Sequence, residues 1–215
     1  MEQKIILFQG DSITDAERNR TADWNMGCGY PTLVTAHLGK EFPYQYKTIN
    51  RGISGNRVVD LFARIKVDMI NLKPDYMSIL IGINDVWHEI GSHNGVDAGK
   101  FEMVYGLLIE ELLGELPGLK LMLLEPFVLP GSATRSDAEN PGRWEFFRAQ
   151  TDLRRGAVKR LAEKYNLVFV PLQERFSTAN ADAPEDGFWL FDGVHPSAAG
   201  HELIKQAWLE GFAKL

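Results

Sequence analysis

Cysteine is almost absent from this 215-residue chain. Cys28 stands alone, so no internal disulfide can form and nothing in the fold calls for an oxidising compartment. An excess of positive charge is also missing. With 23 Lys and Arg against 29 Asp and Glu, the formal net charge is -6, and the basic residues are scattered. That excludes the clustered cationic surface a nucleic-acid binder uses to displace counterions. Long hydrophobic runs are missing too, since no stretch approaches the roughly 20 apolar residues needed to span a bilayer. After Met1-Glu2-Gln3-Lys4, the run Ile5-Ile6-Leu7-Phe8 is too short for the apolar core of a secretory signal, and no cleavage site follows it. The expectation is a cytoplasmic protein with neither membrane nor nucleic acid as partner.

Internal repeats, low-complexity tracts and an interdomain linker are lacking as well, so residues 1–215 are expected to form one domain. Five apolar, β-rich runs recur at Ile5 to Gln9, Tyr44 to Ile49, Tyr76 to Ile81, Leu119 to Leu124 and Leu167 to Val170. Ile79-Leu80-Ile81 and Leu121-Met122-Leu123-Leu124 are continuous rather than alternating, the pattern of strands buried on both faces of a parallel sheet. Between the runs, Val58, Leu61, Phe62, Ile65, Met69 and Leu72 recur at helical spacing, as do Phe101, Tyr105, Leu108, Leu112 and Leu116. Lys73-Pro74 and Pro117-Gly118 stop these two helices. Trp144 to Tyr165 and Pro196 to Phe212 read as two more. The alternation predicts an α/β protein: three α/β/α layers around a five-stranded parallel sheet. Gly82 to Gly99 and Pro126 to Gly142 are expected as long loops, which in compact domains are usually functional.

Motifs for several chemistries fail on spacing. His88-Glu89 opens like a zincin helix, but His93 follows five positions after His88 instead of four, and His195 and His201 are six apart; neither pair shares a helix face as metal ligands would. No phosphate-cradling G-x-x-x-x-G-K-[ST] occurs, and Gly52-Ile53-Ser54-Gly55 lacks dinucleotide-binding spacing. Around Ser12, Gly10 matches the first glycine of a G-x-S-x-G nucleophile elbow, but Thr14 stands where the second belongs. Neither metal nor cofactor is expected.

What is present follows the apolar runs. Gly10-Asp11-Ser12 ends the first, Asn50-Arg51-Gly52 the second and Gly82-Ile83-Asn84-Asp85 the third, while Asp192 and His195 lie three apart before the last helix. The C-terminal ends of parallel strands share one edge, where open α/β sheets bind ligands. Ser12 supplies a hydroxyl, His195 a base for it and Asp192 a carboxylate to orient that base. Ser12 and Gly52 can offer backbone N–H groups, and Asn84 a side-chain amide, to an oxyanion. Each has a structural alternative: Ser12, Asp192, His195 and Asn84-Asp85 as caps and loop residues, Gly52 and Gly55 as turn residues. Trp24, Tyr30, Trp87, Trp189 and Phe191 cluster near these motifs in the sequence. They either pad loops or offer flat surfaces to a sugar or a small acyl group.

These motifs, in this order, resemble those of the SGNH hydrolases, also called the GDSL family of serine esterases. Gly10-Asp11-Ser12 matches the first block, Gly52 the second, Gly82-Ile83-Asn84-Asp85 the third and Asp192-Gly193-Val194-His195-Pro196 the fifth. Ile13 departs from the family's leucine. The resemblance implies a flavodoxin-like sheet, a catalytic triad of Ser12, Asp192 and His195, an oxyanion hole of Ser12, Gly52 and Asn84, and no metal. Gly82 to Glu89 is similar to the acetylxylan-esterase branch, which implies deacetylation of xylo-oligosaccharides or other carbohydrates. Trp87, Trp189, Trp24, Tyr30 and Asp11 are then candidates for binding the acylated substrate. Some relatives of that type are homo-oligomers. A lipase, lysophospholipase or thioesterase is the alternative within the family, and a non-catalytic carbohydrate-binding protein the alternative outside it. If His195 is the base, activity should fall on the acid side with an apparent pKa near or below that of free imidazole.

Overall fold

The computed structural model describes residues 3–215; Met1 and Glu2, at the start of the expected 1–215 domain and N-terminal to the first apolar run, lie outside the described residues. Five strands, β1 (Lys4–Gly10), β2 (Tyr46–Asn50), β3 (Tyr76–Leu80), β4 (Lys120–Leu124) and β5 (Val168–Val170), pair in the order β2-β1-β3-β4-β5. Every pair is parallel, with Phe8 opposite Asn50 and Ser78, and Leu80 opposite Leu124. This is the flavodoxin-like order, with a switch point at β1 and β3 where ligands bind beyond the carboxyl ends of the strands. Parallel pairing needs crossovers, and the helices that make them cover both faces.

The helices are α1 (Ser12–Asp15), α2 (Tyr30–Glu41), α3 (Val58–Ala63), α4 (Ile65–Asp68), α5 (Ile83–Ser92), α6 (Ala98–Glu115), α7 (Arg143–Lys164), α8 (Gln173–Ala181) and α9 (Ala198–Phe212), with a short 3-10 turn at Ile70–Leu72. Side chains alternate across each strand, which divides the core in two. Ile6, Phe8, Met122 and Leu124 face α2 and α9, whose Tyr30, Val34, Ile204 and Trp208 are sealed from solvent. Leu7, Ile79, Leu121 and Leu123 face the opposite layer, which carries Leu61, Phe101, Leu108 and Val158.

The single helix expected from Val58 to Leu72 is broken at Arg64 and again at Met69, where φ is -137°. At Arg64, whose guanidinium turns inward to Gln9 Oε1 at 2.7 Å and to the Arg51 carbonyl at 2.9 Å, the backbone leaves helical geometry while Val58, Leu61, Ile65 and Met69 stay buried. The loop expected from Gly82 to Gly99 is mostly α5. Its first turn buries Ile83 and Val86, and Trp87 and Ile90 pack on the same core. Pro126 to Gly142 has neither helix nor strand, as expected. The β2 run starts later than the pattern suggests because Tyr44 adopts a left-handed turn with φ 62°. Lys120, at the start of β4, donates to the Leu215 carbonyl, so the last residue lies at the edge where the strands begin. Among the described residues no helix is long and apolar enough to cross a membrane.

Candidate active site

The last residue of β1, Gly10, lies against Thr14 and the Leu80 carbonyl; a Cβ there would come within 2.4 Å of both. This tight turn launches α1 directly from the strand. Asp11 caps it, accepting from Ile13 N–H at 3.0 Å, and Ser12 is the first helical residue. The Asp192–His195 segment is shaped from below by the loop that follows β4. Leu129 N–H donates to the Gly193 carbonyl and Ala133 N–H to the Asp192 carbonyl, both at 2.9 Å. Gly131 lies so close that a Cβ would sit 2.3 Å from the Asp192 carbonyl carbon, and Gly193 needs φ 96°. Two glycines thus let two loops touch backbone to backbone.

The result brings together residues 183 positions apart. Ser12 Oγ lies 2.9 Å from His195 Nε2, and His195 Nδ1 lies 2.7 Å from Asp192 Oδ2. The other Asp192 oxygen accepts from Val194 N–H and His195 N–H, each at 2.8 Å. Burial pushes the Asp192 carboxyl up, but its bonds from the His195 side chain and from two backbone N–H groups outweigh this and hold it below the ordinary value. The same bond to Asp192 raises His195 above the ordinary imidazole value of 6.5, against the opposing effect of burial. With the carboxylate contact outweighing burial, the acid limb of activity is now expected above the free imidazole value instead of near or below it. Beneath the site, burial lifts Asp11 to about 7.

A cavity of about 670 Å³ opens over this pair, and Ser12, Asn84, Trp87, Phe191, Asp192 and His195 all contribute to its wall. Asn84, on the first turn of α5, donates one amide hydrogen to the Asn56 carbonyl at 3.1 Å. Ser12, as the first residue of α1, has an N–H without an intrahelical acceptor. Gly52 is placed differently: its N–H is held by Asn50 Oδ1 at 2.9 Å, and it lies outside the cavity wall. Asn50 is itself fixed, donating to the carbonyls of Thr14 and Met26.

The aromatic candidates separate. Trp87 lines the cavity with its ring 5.8 Å from the His195 ring and edge-on to Phe147. Phe191, 61% exposed, lies nearly parallel to His195 at 5.6 Å. The other substrate-binding candidates stand off the cavity. Trp189 donates its indole N–H to the Ala179 carbonyl and packs on the core. Tyr30 is sealed from solvent with its hydroxyl against Thr14, and Trp24 is exposed on a loop outside the wall. Asp11 is buried under the site as a helix cap. For these four the sequence showed nearness along the chain, while capping and core packing decide where the side chains go. His201, His88, Ser54, Glu17 and Cys28, which the sequence reading did not place in the site, also line the cavity. His201 left a trace in the sequence: it interrupts the face of the last helix that carries Ile204, Ala207 and Trp208.

Hydroxyl, imidazole and carboxylate hydrogen-bonded in series at a sheet's switch point form the arrangement that serine hydrolases use. The comparisons agree in class and narrow it. Residues 8–203 match the model of the GDSL-like Lipase/Acylhydrolase family, and the chain belongs to that family. It is 35% identical over 214 residues to an acetylxylan esterase of Geobacillus stearothermophilus, covering 95% of this chain and 91% of that one. The crystal structure of Axe2, an acetylxylan esterase of the same organism, superposes with a TM-score of 0.83 at 33% identity, covering 97% of this chain and 93% of that one. That of a protein described as a GDSL-like lipase from Parabacteroides merdae gives 0.90 at 34% identity, covering 99% and 96%. The chain is an esterase that hydrolyses acyl esters, and a non-catalytic binding protein is set aside.

Proposed function

We propose that this esterase removes short acyl groups, chiefly acetyl, from hydroxylated substrates such as xylo-oligosaccharides, through a covalent intermediate on Ser12. His195 Nε2 takes the Ser12 proton as Oγ attacks the ester carbonyl, and Asp192 stabilises the imidazolium that forms. The oxyanion meets Ser12 N–H and the Asn84 amide hydrogen that is not committed to Asn56. Gly52 N–H, held by Asn50, would join only by sharing its bond. His195 returns the proton to the departing alcohol oxygen as the carbon–oxygen bond breaks. Water, deprotonated by the same imidazole, then attacks the acyl-serine, and the proton goes back to Ser12. Residues 1–215 would act as one hydrolase domain. With Cys28 the only thiol, the fold calls for no oxidising environment, which supports a cytoplasmic setting.

The observation that carries this reading is the 2.9 Å approach of Ser12 Oγ to His195 Nε2, continued at 2.7 Å to Asp192. The likeness to an acetylxylan esterase and a cavity wall containing Trp87, Ser54 and His201 support the carbohydrate assignment. Ser12→Ala should lower turnover of 4-nitrophenyl acetate by several orders of magnitude while leaving the fold intact. A fluorophosphonate probe should label the wild type one-to-one and the variant not at all. Near-wild-type turnover in the variant would remove Ser12 from the mechanism.

A further inference from the structure

Three histidines line the cavity, and the triad leaves two of them, His88 and His201, unused. His201 sits in the first turn of α9, 7% exposed, with its ring in the cavity wall. Its Nδ1 accepts from the Tyr30 backbone N–H at 3.1 Å, at the start of α2. That N–H is the first of its helix and has no intrahelical acceptor, so the bond fixes the tautomer: Nδ1 carries the lone pair and Nε2 carries the hydrogen. Gly29 leaves room for the ring at this position, since a Cβ there would come within 3.0 Å of His201 Cε1. Among the described residues Nε2 has no hydrogen-bond partner, yet it is not one of the polar atoms sealed from solvent without a partner. Burial, with repulsion from His195 added, lowers His201 to about 4, so the ring is neutral wherever His195 can act as a base.

A neutral imidazole with Nδ1 committed can do one thing toward the cavity. It cannot take a proton on Nε2 or offer a lone pair there; it can only donate. The carbonyl oxygen of the ester already has donors at Ser12 and Asn84, so the unsatisfied acceptors left to a bound ester are oxygens of its alcohol half. Glu17 and Ser54, also in the wall, can accept the hydrogen of a hydroxyl that itself accepts from His201.

We propose that His201 Nε2–H is a fixed hydrogen-bond donor to a hydroxyl of the substrate's alcohol half, so that the pocket selects esters of polyols and sugars over esters of simple alkyl alcohols. This rests on the esterase reading of the same pocket and deepens it. His201 is thereby a specificity-determining residue, and proton transfer stays with His195.

Two variants separate the donor from the structural bond. His201→Asn places an amide oxygen where Nδ1 sits and keeps the Tyr30 contact but loses the cavity donor. His201→Gln places an amide N–H near Nε2 and keeps the donor but loses the Tyr30 contact. The readout is kcat/KM on acetylated xylobiose and glycerol monoacetate, each relative to ethyl acetate, with 4-nitrophenyl acetate reporting on the triad. His201→Asn should lower the preference for the hydroxylated esters about tenfold, mainly through KM, as expected for one lost hydrogen bond. Its cost on ethyl and 4-nitrophenyl acetate, which have no alcohol-side hydroxyl to lose, should be clearly smaller than its cost on the hydroxylated esters. His201→Gln should retain much of the preference even if it melts at a lower temperature.

A wild-type preference for hydroxylated esters that His201→Asn leaves intact overturns the assignment and spares the carbohydrate reading. A wild type that ignores acetylated xylobiose but prefers glycerol monoacetate, with that preference lost in His201→Asn, does the reverse. No wild-type preference for either hydroxylated ester overturns both. Should neither variant fold, 15N-imidazole spectra of the wild type decide: xylobiose or glycerol should shift the His201 Nε2 signal more than Nδ1. An unmoved Nε2 refutes the donor role.

Discussion

Replacing Asp192 by asparagine tests the proposed triad more sharply than removing the side chain. Asp192 accepts three hydrogen bonds: Oδ1 takes two from backbone N–H groups of its own loop and Oδ2 takes the third from His195 Nδ1. In Asp192→Asn the amide oxygen must stay on the two backbone donors. Flipping the amide would leave both N–H groups facing an NH2, at about 1–3 kcal/mol for each unsatisfied group. The NH2 therefore points at His195 Nδ1 and forces that nitrogen to become the acceptor. The ring hydrogen then moves to Nε2 and points at Ser12 Oγ, where a lone pair is needed. With the loop intact but the tautomer reversed, kcat on 4-nitrophenyl acetate should fall about 10,000-fold, or roughly 5 kcal/mol of transition-state stabilisation. The melting temperature should stay within a few degrees of wild type. A loss smaller than about tenfold, with the variant folded, would refute the claim that Asp192 acts by setting the tautomer.

The remaining predictions concern charge, the oxyanion and the loop contact. Because His195 is raised above 6.5 and must be neutral to act, kcat/KM should climb with pH through an inflection above that value; a pH–rate profile that is flat, or inflects below it, contradicts the assignment. The His195–Asp192 attraction has the opposite sign for stability. It is fully present below the unfolded imidazole pKa and is lost as pH rises through the raised folded value, so melting temperature should decline over the window in which activity grows. Asn84→Ala should lower kcat about 100- to 1,000-fold with little change in KM, checked by steady-state kinetics on 4-nitrophenyl acetate; a pure KM effect would make Asn84 a ground-state binder. Gly131→Ala should push the Asp192 backbone away and cost about 1–3 kcal/mol in denaturant unfolding, with kcat falling alongside. An unchanged kcat would show that the loop after β4 does not position Asp192.

Much of the architecture was legible because parallel strands buried on both faces leave continuous apolar runs, as at Ile79-Leu80-Ile81. The sheet edge then follows from connectivity, and that edge is why Ser12, Gly52 and Asn84 could be assigned to one crevice. What escaped depended on polar groups meeting across the fold. At the break the Arg64 guanidinium reaches Gln9 and the Arg51 carbonyl, partners that spacing within residues 58–72 does not reveal. α2 carried a spacing of four in Tyr30, Val34 and Leu38 with Pro31 at its start, where proline favours a helix, but only three core positions fall within it, too few to stand out from the neighbouring loops. His201 escaped for a related reason: its place on the last helix was readable, whereas its role as donor is set by an N–H of α2. Gly52 shows the converse. Its position after β2 was readable, but the Asn50 side chain two residues earlier takes its N–H.

Lys4 begins β1, and the Leu215 carbonyl rests beside Lys120, where β4 begins. Both points lie a full strand length from the crevice. Immobilising this esterase on a resin through this edge of the sheet should leave the mouth of the cavity facing outward and open to a bulky polymer.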